Sequence, residues 1–354
     1  MFYFMLACLG AKDNLIVDTG QNDLLKVSPT ASGPYNIGYA SWEHVYIDAV
    51  GIERSIDINV WYPSDSVSGE DVVYMGFIED ELVLGGAPIA KPAFSNGHPL
   101  MVFSHGNFGY GANSVFLMRH FASHGWVAAA PDHTGNMVSD YSEYLPPNIR
   151  FWRPPDDTET INAIAGQDWL KEVNTKEVLL TGHSYGAYDG WLLAGGELNQ
   201  NSVDEICSAG MGMTRPCSLE EREALRQDFL DDRIVGMVPM AGAQNFSWFG
   251  DSGRSDIGIP ILQLSGTEDE DEPLRIWENR GTTNLRWLEL VGGCHQAFAL
   301  GACTQMSNEE AFGITQSYTL AFGREIVLGD SAMSTVLDGS EDLGWSDLLL
   351  FHTP

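Results

Sequence analysis

The chain of 354 residues carries 49 acidic and 18 basic side chains, which gives a formal net charge of -31 at pH 7. Such an acidic surface repels polyanions, which excludes nucleic acid as a partner, and it should repel itself at low ionic strength. A saline habitat and a solubility adaptation of an exported protein explain this acidity equally well. The hydrophobic content of 44%, with 38 glycines and 16 prolines, indicates a globular chain with an ample core.

The N-terminus contains an apolar run that ends in Leu6-Ala7-Cys8. This tripeptide resembles the lipobox at which a bacterial lipoprotein is cut and lipidated, although the positive segment and the full apolar length of a signal peptide are missing. We expect residues 1–33 to be a leader, a remnant of a lipoprotein signal, and residues 34–354 to form one domain. Lipid attachment at Cys8 would be the only membrane contact, because no later segment is long enough to span a bilayer.

The predicted secondary structure alternates between strands and helices. Apolar, β-branched and aromatic runs predict strands at 35–49, 55–62, 100–104, 126–130, 178–180, 234–239, 261–264 and 287–291. Helical spacing predicts helices at 113–124, 157–173, 219–229 and 309–327. A further helix is predicted to follow the segment 182–186 and to end at residue 193. An opening antiparallel pair and this alternation predict an α/β fold, with a mostly parallel central sheet and helices on both faces. The interval 199–232 is expected to be a small cap insertion or, equally, a surface loop.

An apolar strand leads directly into the segment 182–186, GHSYG, and a helix follows it. This pattern predicts a nucleophile elbow, in which Ser184 takes strained backbone angles and projects its hydroxyl above the sheet. The flanking residues must be small, because the strand and the helix approach each other closely at the turn. Gly182, Gly186 and Ala187 satisfy that requirement.

A serine nucleophile needs a base to remove its proton and a third group to orient that base. Downstream of Ser184, one predicted strand ends in GTED at 266–269 and the next ends in GGCH at 292–295. These strand ends offer Asp269 as the acid and His295 as the base. The acidic run 268–272 indicates a solvated turn rather than a calcium loop, because it lacks the spacing of an EF-hand.

The chain contains seven short motifs: WYP at 61–63, FSHGNFG at 103–109, ASHGW at 122–126, APDHTG at 130–135, GHSYGA at 182–187, DRI at 232–234 and GGCHQAF at 292–298. Their combination resembles α/β-hydrolases of the dienelactone-hydrolase-like and platelet-activating-factor-acetylhydrolase-like group, over most of residues 35–303. The resemblance implies an α/β-hydrolase fold and a serine esterase. Dienelactone hydrolases use a cysteine nucleophile, whereas Ser184 stands here, which favours ester hydrolysis over lactone chemistry.

The resemblance also implies where the oxyanion of the reaction is bound. The expected donors are the backbone N–H groups of Tyr185, which follows the nucleophile, and of Asn107, in the loop after the third predicted strand. Structural roles are expected for two of the histidines inside the motifs, His105 and His183. The expected substrate-binding walls, chosen only for their closeness to the motifs, are Phe108, Trp248 and Phe298.

The five cysteines divide into a lone Cys8 and two close pairs. Cys207 and Cys217 are ten residues apart, and Cys294 and Cys303 are nine apart. This spacing predicts two local disulfides and therefore an oxidising compartment, with free buried cysteines as the alternative.

These observations predict an exported serine carboxylic-ester hydrolase, secreted or periplasmic, that acts through an acyl-enzyme on short- or medium-chain esters. No cofactor and no metal is expected, because the sequence has neither zinc-ligand spacing nor a nucleotide-binding glycine motif after a strand. The alternatives are a polymeric or phospholipid-derived ester substrate, peptidase or thioesterase action on the same scaffold, and a catalytically silent binding protein.

Overall fold

The computed structural model describes residues 20–210, 213–242, 246–269 and 272–352. Cys8 and the first part of the expected leader lie outside these residues. The strands are β1 (Asn36–Ile47), β2 (Glu53–Ser64), β3 (Val73–Tyr74), β4 (Ile78–Glu79), β5 (Leu84–Gly85), β6 (His98–Ser104), β7 (Val127–Asp132), β8 (Val173–His183), β9 (Ile234–Met240), β10 (Ile261–Gly266), β11 (Leu285–Leu290) and β12 (Leu349–His352). The helices are α1 (Gln21–Leu24), α2 (Val115–Ser123), α3 (Ile149–Ala165), α4 (Tyr185–Leu193), α5 (Gln200–Ala209), α6 (Leu219–Ala224), α7 (Phe246–Phe249), α8 (Glu272–Glu278), α9 (Asn308–Leu328) and α10 (Ser334–Leu337).

Ten strands form the central sheet, in the order β12-β11-β10-β9-β8-β6-β7-β2-β1-β5. The strands from β11 to β7 in this order pair in parallel. On either side of them, β12 and β2 pair antiparallel with their neighbours. Because parallel strands share one carboxyl edge, the loops after β6, β8, β10 and β11 leave the sheet on the same side.

Strand side chains alternate between two cores, one on each face of the sheet. In β6, Phe103 packs in a cluster with Leu117 of α2 and Phe322 of α9. The preceding residue, Val102, packs instead with Ile161 of α3. All five side chains are fully or almost fully buried. Helices therefore cover both faces of a mostly parallel sheet, as the sequence predicted.

Helix α3 begins and ends earlier than the predicted helix 157–173, and Val173 is already the first residue of β8. The difference arises because Pro154 and Pro155 lie inside the helix. A proline cannot donate to the carbonyl four residues earlier, so Pro154 leaves the carbonyl of Arg150 without its helical bond. The hydroxyl of Tyr188 in α4 donates to that carbonyl at 3.1 Å. A tertiary contact thus compensates for a helix-breaking residue.

The interval 199–232 contains α5, α6 and the disulfide Cys207–Cys217, whose Cα atoms are 4.9 Å apart. The predicted helix 219–229 is shorter in the structure, and α5 was not predicted. Both cysteines are buried in a cluster that also contains Tyr185. The interval 199–232 therefore shares one hydrophobic cluster with the residue that follows Ser184.

Part of the expected leader contacts the domain. The carbonyl of Pro29 accepts a hydrogen bond from His120 Nε2 of α2 at 2.8 Å. Arg324 Nη1 of α9 donates to the carbonyl of Val27, also at 2.8 Å. Residues from Gln21 onward thus pack on α2 and α9. Among the described helices, none has the length and apolar composition that crossing a membrane requires.

Candidate active site

Ser184 lies at the sharp turn between β8 and α4, with φ 56° and ψ -114°. A positive φ is uncommon for a residue with a side chain and marks local strain. The turn is held by the bond from Ser184 N to the carbonyl of Met240, at 2.8 Å. A Cβ atom on Gly182 would lie 2.3 Å from the carbonyl oxygen of Gly186, and one on Gly186 would lie 2.0 Å from that of Ser104. The glycines of the motif are therefore sterically required.

The structure brings Ser184, Asp269 and His295 together, although they follow three different strands. Ser184 Oγ lies 2.8 Å from His295 Nε2. His295 Nδ1 lies 3.1 and 3.2 Å from the two carboxylate oxygens of Asp269. Since an ionised carboxylate only accepts, Nδ1 carries the proton and Nε2 can accept the serine hydrogen. The Asp269 side chain is 4% exposed and that of His295 24%, so the acid is shielded while the imidazole is reachable.

The loops that carry the acid and the histidine contact each other through their glycines. A Cβ atom on Gly266 would lie 2.1 Å from the carbonyl oxygen of Gly293, so neither loop has room for a side chain there. The second predicted disulfide, Cys294–Cys303, is also present, with its Cα atoms 5.5 Å apart. It closes the loop that begins beside His295. Asp269 and His295 are therefore held by backbone contact and a covalent cross-link.

The loop after β6 approaches the serine from the other side. A Cβ atom on Gly106 would lie 3.2 Å from the Cβ of Ser184. The next residue, Asn107, is exposed, and its Oδ1 accepts a hydrogen bond from Asn136 Nδ2 at 2.7 Å. Tyr185, the other expected oxyanion donor, is the first residue of α4. Tyr185 thus follows Ser184 directly and Asn107 follows Gly106, which lies close to Ser184; oxyanion binding by their N–H groups stays a prediction.

A buried guanidinium, missed in the sequence analysis, connects this loop to α4. Arg153 Nε donates to Asp189 Oδ2 at 2.8 Å, and both side chains are 0% exposed. The other guanidinium nitrogens donate to Asn136 Oδ1 and to the carbonyl of His105. Arg153 therefore links α4 to Asn107 through Asn136. Its only sequence signal is Asp189, an acid within an otherwise apolar helix.

One group of metal-ligating side chains lies beneath this loop in the described part of the chain. Ligand atoms of His133, Asp157 and Asp189 lie within 4.8 Å of one another, and all three residues are buried. Ser104 Oγ donates to Asp189 Oδ2 at 2.9 Å, and His133 Nδ1 bonds Asp156 at 2.9 Å. Burial raises the pKa of the Asp157 carboxyl well above its ordinary range. These contacts favour a bound proton over a cation, and we assign no metal to the group.

His105 and His183, the two motif histidines with expected structural roles, are both buried, and His105 contacts its own loop. His105 Nδ1 donates to the carbonyl of Gly106 at 2.7 Å, and its Nε2 accepts from the backbone N–H of His133 at 3.1 Å. Burial lowers the pKa of His105 well below its ordinary value. The ring is therefore neutral and braces the loop.

The three expected pocket walls lie in different environments. Phe108 is half-buried, and its ring centroid lies 5.0 Å from that of Tyr141. Trp248 is 3% exposed and packs in the same cluster as Phe108 and Tyr185. Phe298 is 0% exposed and packs in the other core, with α2 and α9. Phe108 and Trp248 thus share the side of Tyr185, whereas Phe298 has a core position rather than an open wall.

No protein-family model and no curated protein matches the sequence. Among solved structures, the chain is similar to a ferulic acid esterase from Streptomyces cinnamoneus, with 20% sequence identity and a TM-score of 0.61. The similarity covers 93% of this chain and 99% of that one. With the sheet order above, it confirms the predicted fold class: the chain has an α/β fold with a mostly parallel central sheet, similar to the fold of that esterase.

Proposed function

We propose that this protein is a serine carboxylic-ester hydrolase, with Ser184 as nucleophile, His295 as base and Asp269 as its orienting acid. The observation that carries the proposal is the 2.8 Å contact between Ser184 Oγ and His295 Nε2, with Asp269 on the opposite nitrogen. The esterase with a similar fold and the motifs shared with dienelactone-hydrolase-like and acetylhydrolase-like enzymes support it.

The reaction proceeds in two acyl transfers. Ser184 Oγ attacks the ester carbonyl carbon while its proton passes to His295 Nε2. The resulting oxyanion accepts hydrogen bonds from the backbone N–H groups of Asn107 and Tyr185, and the alcohol leaves with the proton from His295. Water then attacks the acyl-serine, its proton passes to His295, and the acid and free Ser184 are released. Asp269 stabilises the imidazolium that forms in each half.

We infer that the protein works outside the cytoplasm, because both local disulfides suit an oxidising compartment. A lipid anchor at Cys8 belongs to the same proposal. The insertion 199–232 acts as a cap, which the burial of its disulfide in the same hydrophobic cluster as Tyr185 supports. Mass spectrometry of the protein from its native host measures both the disulfides and any lipid on Cys8.

The experiment that tests the function compares leaving groups and acyl lengths. A series of 4-nitrophenyl esters from acetate to decanoate is assayed beside matched thioesters and a peptide panel. We expect the short and medium esters to be hydrolysed and the peptides to remain intact. Peptide cleavage without ester cleavage would overturn the proposal. Loss of ester hydrolysis in Ser184→Ala separates turnover at this site from a contaminating esterase.

A further inference from the structure

Arg150, in the first turn of α3, is a buried cation for whose Nε and Nη1 the described residues offer no hydrogen-bond partner. The residue is 8% exposed, and its Nε and Nη1 atoms are fully buried and unbonded within the described residues. Its guanidinium carbon lies 4.4 Å from the ring centroid of Trp248, so an aromatic face is its main contact. An arginine stays charged at every relevant pH, and burying an unpaired charge is costly. The site therefore lacks an acceptor.

The other buried arginines of α3 and β2 have their acceptors. Arg153 pairs with Asp189 at 2.8 Å, and Arg54 pairs with Asp156 at 2.6 Å. In the described part of the chain, no carboxylate lies within 4.0 Å of the Arg150 guanidinium. Arg150 is thus the exception among the three buried arginines of α3 and β2.

A second unpartnered donor belongs to Tyr185, which packs in the same cluster as Trp248, the ring that Arg150 contacts. The hydroxyl of Tyr185 is buried and makes no hydrogen bond within the described residues. Burial raises the pKa of Tyr185, and the nearby charge of Arg150 opposes that rise. The hydroxyl of Tyr188 contacts the carbonyl of Arg150 as well. Arg150 therefore lies against the first turn of α4, and Ser184 stands at the N-terminus of that turn.

We propose that Arg150 and the Tyr185 hydroxyl bind a carboxylate on the substrate, so that Ser184 cleaves monoesters of dicarboxylic acids in preference to neutral esters. The proposal rests on the proposed function. The unbonded groups are donors, which suits an ion that only accepts. One unpaired guanidinium matches the single charge of a carboxylate. A phosphate dianion would need a second cation, and Arg153 is already paired with Asp189.

Because the protein is strongly acidic, a preference for an acidic ester over its neutral analogue would indicate a local anion-binding site. A protein with a net charge of -31 repels anionic substrates on approach. Without a local anion site, an acidic ester should therefore react more slowly than its neutral analogue. A wild-type enzyme that prefers the acidic ester requires a buried cation near the nucleophile.

The test compares the 4-nitrophenyl monoester of glutaric acid with the same ester capped as its methyl diester. We expect wild type to have the higher kcat/KM on the monoester. Arg150→Gln should lower the monoester-to-diester ratio about 10- to 100-fold, as expected for loss of a charged hydrogen bond. Arg150→Lys, which keeps the charge, should lower it less. Arg226→Gln is the control, because it removes an exposed positive charge two residues after α6. It should leave the monoester-to-diester ratio within about twofold of the wild-type value.

An unchanged ratio in Arg150→Gln, or an equal fall on both esters, would overturn the proposal, because a packing role affects both substrates alike. If Arg150→Gln does not fold, inhibition of the wild-type protein tests the proposal instead. Glutarate should inhibit diester hydrolysis more strongly than glutaramide, and equal inhibition by the two compounds would contradict a carboxylate site. Calorimetry of glutarate binding to Ser184→Ala, with and without Arg150→Gln, tests the site independently of turnover. Binding that depends on Arg150 without any ester hydrolysis would refute the proposed function and retain the site.

Discussion

The Nε2 atom of His183 lies 2.8 Å from the backbone carbonyl oxygen of His295. A carbonyl only accepts, so His183 donates and is protonated on Nε2. Burial lowers the pKa of His183 to about 4, which keeps its ring neutral at pH 7. The residue before the nucleophile therefore holds the loop of the proposed base, across the two strands that separate β8 from β11.

The choice of acid can be tested by amide substitution. Asp269→Asn should lower kcat by about 10³- to 10⁴-fold, because an amide no longer holds His295 in the required tautomer. Glu268→Gln, at the exposed neighbouring position, is the matched control and should retain most activity. Steady-state kinetics on one ester measure both. A larger loss of kcat in Glu268→Gln than in Asp269→Asn would show that Asp269 is not the acid.

The bond between Asn136 and Asn107 predicts a role in oxyanion binding. Asn107→Ala and Asn136→Ala should each lower kcat about tenfold with little change in KM, because the loop loses a contact that positions its N–H group. The double variant should be no worse than Asn136→Ala alone, since both substitutions remove the bond between the two residues, while Asn136→Ala also removes an acceptor of Arg153. Ser142→Ala, which alters an exposed loop hydroxyl, is the control. If the losses of kcat in the two single variants add up in the double variant, the two residues do not act through a shared contact.

The two disulfides should differ in their effect on activity. In the chain-entropy model, each short loop contributes about 2 to 3 kcal/mol to the free energy of unfolding. We expect both Cys-to-Ala double variants, 207/217 and 294/303, to lower stability in urea titrations. Only the second should also lower kcat strongly, because Cys294 precedes His295. Free thiols at all four positions in the purified protein would refute both assignments.

The buried histidine of α2 predicts a pH dependence of stability. Burial, helped by the neighbouring His124, lowers the pKa of His120 to about 3. As pH falls below about 6.5, the unfolded chain binds a proton that the folded chain does not bind. The free energy of unfolding should therefore fall by about 1.4 kcal/mol per pH unit from this residue alone. His120→Gln can still donate to the carbonyl of Pro29, and it should reduce the slope of the free energy of unfolding against pH between pH 6 and 4. An identical slope in wild type and His120→Gln, measured by urea titration, would contradict this prediction.

Much of the fold and site was predictable because its signals are local. Apolar runs bounded by glycine or proline predicted the parallel strands, and Ser184, Asp269 and His295 each lie within five residues of the end of such a strand. Strand ends on one edge of a parallel sheet converge, so chain order alone brought these residues together.

The remainder depends on contacts that local patterns do not encode. The start of α3 was missed because Pro154 and Pro155 oppose a helix, and only contact with α4 offsets them. Arg150 meets Trp248 because α3 and the segment after β9 pack in one cluster. Phe298 lies beside His295 in sequence yet belongs to the opposite core. Closeness in sequence to a motif therefore predicted the position of residues at strand ends better than it predicted residues that line a pocket.

Covalent labelling of the proposed nucleophile tests the account most directly. A fluorophosphonate should add one adduct to the folded wild-type protein, and peptide mapping should locate it on Ser184. Ser184→Ala should fold, as judged by its melting curve, but lose the adduct and lower ester turnover by roughly 10⁴-fold or more. An adduct on another residue, or near-normal turnover in folded Ser184→Ala, would contradict the assignment of Ser184 as the nucleophile.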